Sequence, residues 1–191
     1  EYTDYVRTIF ASNITPADNF ASSFLIKEDY IVMGGKYINN NQGAIYVYKF
    51  SDPSYERIIQ GTDTKEEDYF GTNISIEGDK LVTGSYSNLN EEGKVFVYSL
   101  IDEEYERIIT NTSEGKDAFG TSVDVYGDYV LVTEYACFNY VNNCIGSKHK
   151  VHIYKLSDEE YVKVIDLDTI DMISMFPKDV FWFEVVGDYL L

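Results

Sequence analysis

Residues 68–85 read DYFGTNISIEGDKLVTGS, and this stretch decides the fold because most of it recurs before and after. The apolar residues Ile74 and Ile76 alternate with polar ones, which is the period-two pattern of a β-strand. Gly78 and Asp79 follow, and both residue types tolerate the positive φ angles of a tight hairpin turn. The short apolar run that comes next predicts the return strand.

The same order of segments occurs three times at a spacing of about 50 residues, which marks a repeat architecture. The aspartates of the repeated turn are Asp29, Asp79, Asp128 and Asp188. Each full copy adds a third strand that ends in a tyrosine and a fourth that opens with one; these are Tyr48, Tyr98 and Tyr154, and Tyr55, Tyr105 and Tyr161. The third strand is apolar on both faces, which predicts that it is covered on both sides.

Four short antiparallel strands per unit, repeated in series, predict an all-β fold made of β-propeller blades. We expect full blades over residues 20–59, 70–109 and 119–165. Residues 1–10 match the last strand of a preceding blade, and residues 180–191 match the start of a following one. Because a propeller ring usually needs four to eight blades, we expect residues 1–191 to be a segment of a longer propeller.

The repeated unit resembles the FG-GAP repeat, the blade module of integrin α-chain head domains and of many bacterial and protist surface proteins. The matching motifs are Asp68-Tyr69-Phe70-Gly71-Thr72, Asp117-Ala118-Phe119-Gly120-Thr121, the Gly-Asp turns at 78–79 and 127–128, Gly84-Ser85-Tyr86, and the third strand from Gly93 to Tyr98. The resemblance implies a propeller in an extracellular or cell-surface protein, but fold does not imply function. Kelch repeats are a weaker alternative, because their double glycine occurs once only, after Met33.

The chain departs from the family pattern in two ways. Ala21 stands where the other copies have the glycine of Phe-Gly, and copy four has Asp179-Val180 at that place. Integrin-type repeats also place an acidic calcium loop between the first two strands, whereas here a two-residue turn makes that connection. A calcium ion needs six to eight oxygen ligands, so we expect no metal at this turn.

The composition narrows the class of partner. The 191 residues carry a formal net charge of −18, and such a field opposes binding to nucleic acid and to anionic membranes. No apolar run reaches the length of a membrane span, so we expect no membrane contact within this segment. The 18 tyrosines are expected to pack amphipathic strands, with a stacking surface for sugars as the alternative.

An insertion between residues 136 and 150 distinguishes copy three and holds both cysteines, Cys137 and Cys144. Two cysteines in one loop predict a local disulfide in an oxidising compartment, with two free thiols as the alternative. The bridge would stiffen the tip of a partner-contact loop formed by Phe138, Tyr140, Val141, Lys148, His149 and Lys150. The last three form a basic tract, which is suited to an acidic partner.

Glycosylation sequons occur at Asn13, Asn73 and Asn111, and we expect Asn111 to be the glycosylated one because it lies in the linker between blades.

His152 stands where Tyr46 and Phe96 stand in the other copies, so we expect its side chain to pack in the core. The asparagines at 39–41 form either a solvated loop, which we favour, or a weak cation site. No arrangement of serine, cysteine or aspartate around a histidine forms a catalytic set, so we expect no enzyme and no cofactor.

These features together favour a non-enzymatic, acidic, extracellular or cell-surface β-propeller glycoprotein. We expect it to serve adhesion or protein–protein assembly, with other protein chains, further copies of itself or glycans as partners, and not nucleic acid. One alternative is a structural repeat of an extracellular fibre or coat. The other is a propeller lectin or enzyme with a site at the central channel or on the loops.

Overall fold

The computed structural model describes residues 8–86, 93–111, 118–136, 148–157, 160–166, 185–186 and 189–190. They form three four-stranded antiparallel sheets in chain order and one short hairpin. The first sheet comprises β1 (Ser23–Lys27), β2 (Tyr30–Gly35), β3 (Ala44–Lys49) and β4 (Glu56–Ile59). The second comprises β5 (Ile74–Glu77), β6 (Lys80–Ser85), β7 (Lys94–Ser99) and β8 (Glu106–Thr110). The third comprises β9 (Ala118–Tyr126), β10 (Tyr129–Ala136), β11 (Lys148–Lys155) and β12 (Glu160–Asp166); β13 (Val185–Val186) and β14 (Tyr189–Leu190) form the hairpin.

Consecutive strands are hydrogen-bonded neighbours in each of the three sheets, so each sheet is an antiparallel meander. The strands fall within the segments expected for the three blades, except that β9 begins one residue before its segment and β8 and β12 each end one residue after theirs. These sheets confirm the predicted fold class of four-stranded β-propeller blades.

The repeated turn aspartate ties the first hairpin of each sheet to the end of the third strand. Its backbone carbonyl oxygen accepts a hydrogen bond from Phe50 N at Asp29, from Leu100 N at Asp79 and from Leu156 N at Asp128, at 2.7–2.9 Å. Its carboxylate also accepts hydrogen bonds from Ser51 at Asp29, Ser99 at Asp79 and Ser157 at Asp128. The aspartate therefore recurs for a structural reason: it closes two loops of its own blade.

Two apolar cores lie between successive sheets. Phe70 is fully buried between β3 of the first sheet and β7 of the second, with its ring edge-on to Phe96 at 5.1 Å. Phe119 occupies the equivalent place between the second and third sheets and is also fully buried. The third strands β3 and β7 are buried along nearly their whole length, as their two-sided apolar pattern predicts.

Glycines recur where the backbones of successive sheets touch. A Cβ atom on Gly84 would lie 1.8 Å from the carbonyl oxygen of Gly120, and one on Gly93 would lie 1.8 Å from that of Phe119. The glycine of Phe-Gly is needed for a different reason, because Gly120 has a φ of 82°. Ala21, the departure noted in copy one, adopts a φ of 60° at the equivalent place and so has a backbone conformation that alanine disfavours.

The outer face of the first sheet differs from that of the others. Phe24 and Ile26 on β1 are 71% and 55% exposed, while Leu25 between them packs against the core around Phe70. Their counterparts on β9, Val123 and Val125, are each only 4% exposed because the second sheet covers them. The first sheet therefore presents an apolar face of the kind that is covered elsewhere in the molecule.

The loop between β2 and β3 contains a single turn, α1 (Ile38–Asn41). Asn39, Asn40 and Asn41 all have positive φ angles, between 52° and 65°, so this turn cannot continue as a right-handed helix. A three-residue 3-10 helix, Pro16–Asp18, precedes β1. Among the described residues, no helix is both long enough and apolar enough to cross a membrane.

Candidate interaction surface

The β2–β3 loop of the first sheet packs against the linker that leads into the second sheet. The Asn40 side-chain amide donates a hydrogen bond to Glu66 Oε1 at 2.9 Å, and that of Asn41 donates to Glu67 Oε1 at 2.8 Å. Gln42 Nε2 donates to the carbonyl oxygen of Thr64 at 2.8 Å. We call this surface the loop edge and define it as residues 36–42, residues 61–69 and Tyr86.

Backbone hydrogen bonds hold the same two segments together. Tyr69 N donates to the carbonyl oxygen of Asn41 at 2.8 Å, and Phe70 N donates to that of Gln42 at 2.9 Å. Gly43 and Phe70 also form a parallel β-bridge. The side-chain amides of Asn40 and Asn41 are thus engaged in protein hydrogen bonds, which favours a loop held by the protein over a weak cation site.

Three tyrosines line the loop edge. Tyr69 and Tyr86 stack with ring centroids 5.3 Å apart, and Tyr37 meets Tyr69 edge-on at 6.0 Å. Tyr69, in the middle of the row, is 8% exposed, and Tyr37, at one end, is 37% exposed. The Lys36 ammonium lies 5.0 Å from the centre of the Tyr37 ring, a cation–π contact that helps to fix the exposed ring.

The loop edge is acidic around these rings. Hydrogen bonds from Tyr69 and from Asn41 hold the pKa of the Glu67 carboxyl below its usual range. A hydrogen bond and the charge of Lys94, 2.7 Å away, likewise lower the pKa of Asp63. Both carboxylates are therefore charged at neutral pH, and Glu67 lies beside the Tyr69 ring, whose hydroxyl donates to it at 2.6 Å.

The third sheet holds a cluster of charged residues that the sequence did not predict. Glu134 is 1% exposed, and its carboxylate lies 2.9 Å from Lys150 Nζ and 2.5 Å from His152 Nε2. The His152 ring packs edge-on against Phe119 at 5.5 Å, as its place in the repeat predicted. The Lys150 ammonium pairs with this buried carboxylate of its own blade, and its predicted contact with a partner stays a prediction.

The other predicted site residues are placed only in part. Cys137, Cys144, Phe138, Tyr140 and Val141 lie outside the described residues. Lys148 and His149 belong to β11, so the basic tract begins a strand. Asn111 is 7% exposed, and a glycan on its side chain would have to displace the neighbours that bury it. The disulfide and the glycan stay predictions.

Sequence information alone could have located part of the loop edge. Three consecutive asparagines are typical of left-handed backbone, so the turn at residues 39–41 could have been predicted. The tyrosine row gave no such signal, since Tyr37, Tyr69 and Tyr86 come from three different segments. Glu134 could have been suspected, because this acidic residue follows the apolar run Val130 to Val132 within one strand.

Residues 55–98 match the sequence model of the FG-GAP repeat. The comparison with curated proteins found no match. The matched stretch runs from the start of β4 in the first sheet to the end of β7 in the second, so it includes the junction between two blades and most of the loop edge. This match, over 44 of the 191 residues, is consistent with the FG-GAP repeat family.

Proposed function

We propose that this protein is a non-enzymatic, extracellular or cell-surface β-propeller that binds another protein through its loop edge, in adhesion or in assembly. The FG-GAP repeat suggests a protein–protein interaction module, and such repeats typically occur in extracellular or surface proteins. We choose the loop edge as the binding surface because Tyr37 is an exposed aromatic residue on a hydrogen-bonded loop. Tyrosine is among the residues that most often dominate binding energy at protein interfaces.

The rigidity of the loop edge supports this proposal. Binding through a loop that is already fixed costs less conformational entropy than binding through a mobile one. The bonds from Asn40 to Glu66 and from Asn41 to Glu67 join the two segments that present Tyr37. The chain's net charge of −18 favours a basic partner surface and disfavours nucleic acid.

Binding of labelled protein to intact cells and to extracellular proteins tests the proposed function. Tyr37→Ala should raise the Kd by about 30-fold, the equivalent of about 2 kcal/mol for an aromatic hot spot. Tyr126→Ala is the matched control, because Tyr126 is 41% exposed but lies at the first-hairpin end of its blade, away from the loop edge. Equal loss in both variants, or in neither, would contradict a role for the loop edge.

A further inference from the structure

The end of each sheet opposite the loop edge holds the turn between its first and second strands and the loop after its third strand. We call this end the turn edge. At equivalent positions of the turn edge, the sheets carry three cross-strand pairs, Tyr30 with Lys49, Lys80 with Ser99, and Tyr129 with Lys155. The first and third sheets thus have a tyrosine opposite a lysine, whereas the second sheet has a lysine opposite a serine.

In the first sheet, this pair fills the groove toward the second sheet. The Lys49 ammonium lies 5.3 Å from the centre of the Tyr30 ring and 4.5 Å from that of the Tyr55 ring. Tyr30 and Tyr55 reach the second sheet through hydrogen bonds from their hydroxyls to Leu100 O and to Glu103 Oε1. The first groove is therefore a site where an ammonium group is held between two aromatic rings.

The residues that the structure describes leave the equivalent groove between the second and third sheets open. A cleft of ≈ 320 Å³ lies there, and its lining includes Lys80, Ser99, Ile101 and Tyr105. Ser99 is too short to fill the place that Lys49 fills, and Lys80, which lines the cleft, donates to the carbonyl oxygen of Gly127 at 3.0 Å. The volume is within the range of pockets that take small ligands or single side chains.

The two grooves also differ in charge at the place that Lys49 fills in the first. In the first groove, hydrogen bonds from Ser51 and from Ser54 lower the pKa values of Asp29 and Asp52, and the charge of Lys49 lowers both further. Asp79 and Asp102 hold the equivalent positions on the rim of the second groove, where the neutral Ser99 replaces that lysine.

The nearby cations of the second groove have other partners. Lys80 lies 3.7 Å from Asp128, and Arg107 donates to the carbonyl oxygen of Leu156 at 2.8 Å. The apolar floor is formed in part by Tyr98, which is 4% exposed, and Tyr105 retains the ring that Tyr55 offers in the first groove. An apolar wall, an aromatic ring and two carboxylates remain for a ligand.

We propose that this second groove binds a primary ammonium on an alkyl chain, that is, a lysine side chain presented by a partner. The stem would lie against Tyr98 and Ile101, and the ammonium would lie beside Tyr105, Asp79 and Asp102. This inference does not rest on the proposed function, because the groove is at the turn edge and the molecule itself shows the occupant in the first groove.

Titration of the whole chain with N-acetyl-lysine-N-methylamide, followed by amide chemical shifts, tests the proposal. The expected Kd is about 1 mM, with shifts at Ser99, Ile101 and Tyr105 and weaker binding at high salt. The norleucine analogue has the same stem without the charge and should bind at least about tenfold more weakly. Equal shifts from both compounds would overturn the ammonium site.

Two substitutions exchange the grooves. Ser99→Lys supplies the residue that the other two sheets carry at this place, and it should raise the Kd at least about tenfold. Lys49→Ser empties the first groove and should add a second binding site. An unchanged melting temperature checks folding of both variants. No saturable binding to the native chain below about 20 mM, or unaltered binding by Ser99→Lys, would refute the proposal.

Discussion

His152→Phe gives the third sheet the residue that the second sheet carries as Phe96, and we expect it to destabilise the protein. The Glu134 side chain is fully buried and would lose its 2.5 Å contact with His152 Nε2. Removing one partner of a buried pair typically costs about 3–5 kcal/mol. Because Lys150 Nζ stays 2.9 Å from the same carboxylate, we expect the lower end, about 3 kcal/mol.

The double variant Glu134→Ser with His152→Phe copies both residues of the second sheet and removes the buried charge. Replacing a buried pair by a well-packed arrangement is often neutral, so its stability should lie within about 1 kcal/mol of the native protein. Urea titration followed by far-UV circular dichroism measures both values and their coupling. A single variant that loses under about 1 kcal/mol, or a double variant no more stable than it, would refute this account.

The remaining predictions concern backbone, pH and redox state. Ala21→Gly should stabilise the protein by about 1 kcal/mol, because it relieves a positive φ at an alanine. Gly78→Ala should destabilise the protein by a similar amount through its φ of 57° alone, because a Cβ atom there would meet nothing within 4 Å. Urea titration measures both changes, and a change of the opposite sign would contradict the prediction. Burial and a hydrogen bond to Glu106 raise the pKa of the Tyr98 hydroxyl. The free energy of unfolding should therefore fall as the pH rises above about 10, and it should fall less in Tyr98→Phe. The same pH dependence in both proteins would contradict this prediction. Mass spectrometry of unreduced protein should find Cys137 bridged to Cys144, and two alkylatable thiols would remove the predicted disulfide.

Repetition made the fold predictable. The turn aspartate and the Phe-Gly phenylalanine recur in successive copies, so their structural roles at Asp79 and Phe70 could be inferred from the sequence. The structure gives the physical reason: Asp79 closes the loop after the third strand, and Phe70 fills the space between two sheets. Residues that recur in each full copy, such as these two, thus have roles in packing and loop closure.

The candidate sites were harder to predict because they depend on what does not repeat. Glu134 occurs in one copy only, and its contacts with Lys150 and His152 depend on the register of β10 and β11. The open groove depends on Ser99 and Lys80 replacing a lysine and a tyrosine in one sheet of three. Such differences acquire meaning only once the copies are aligned in space.

Contact between the loop edge and a partner protein outside the cell is tested most directly by photo-crosslinking. A benzoylphenylalanine placed at position 37, in protein added to intact cells, should give a discrete protein adduct on illumination, which mass spectrometry can identify. The same group at position 126, at the turn edge, is the control and should give none. No adduct from position 37, or equal adducts from both positions, would contradict the proposed role of the loop edge.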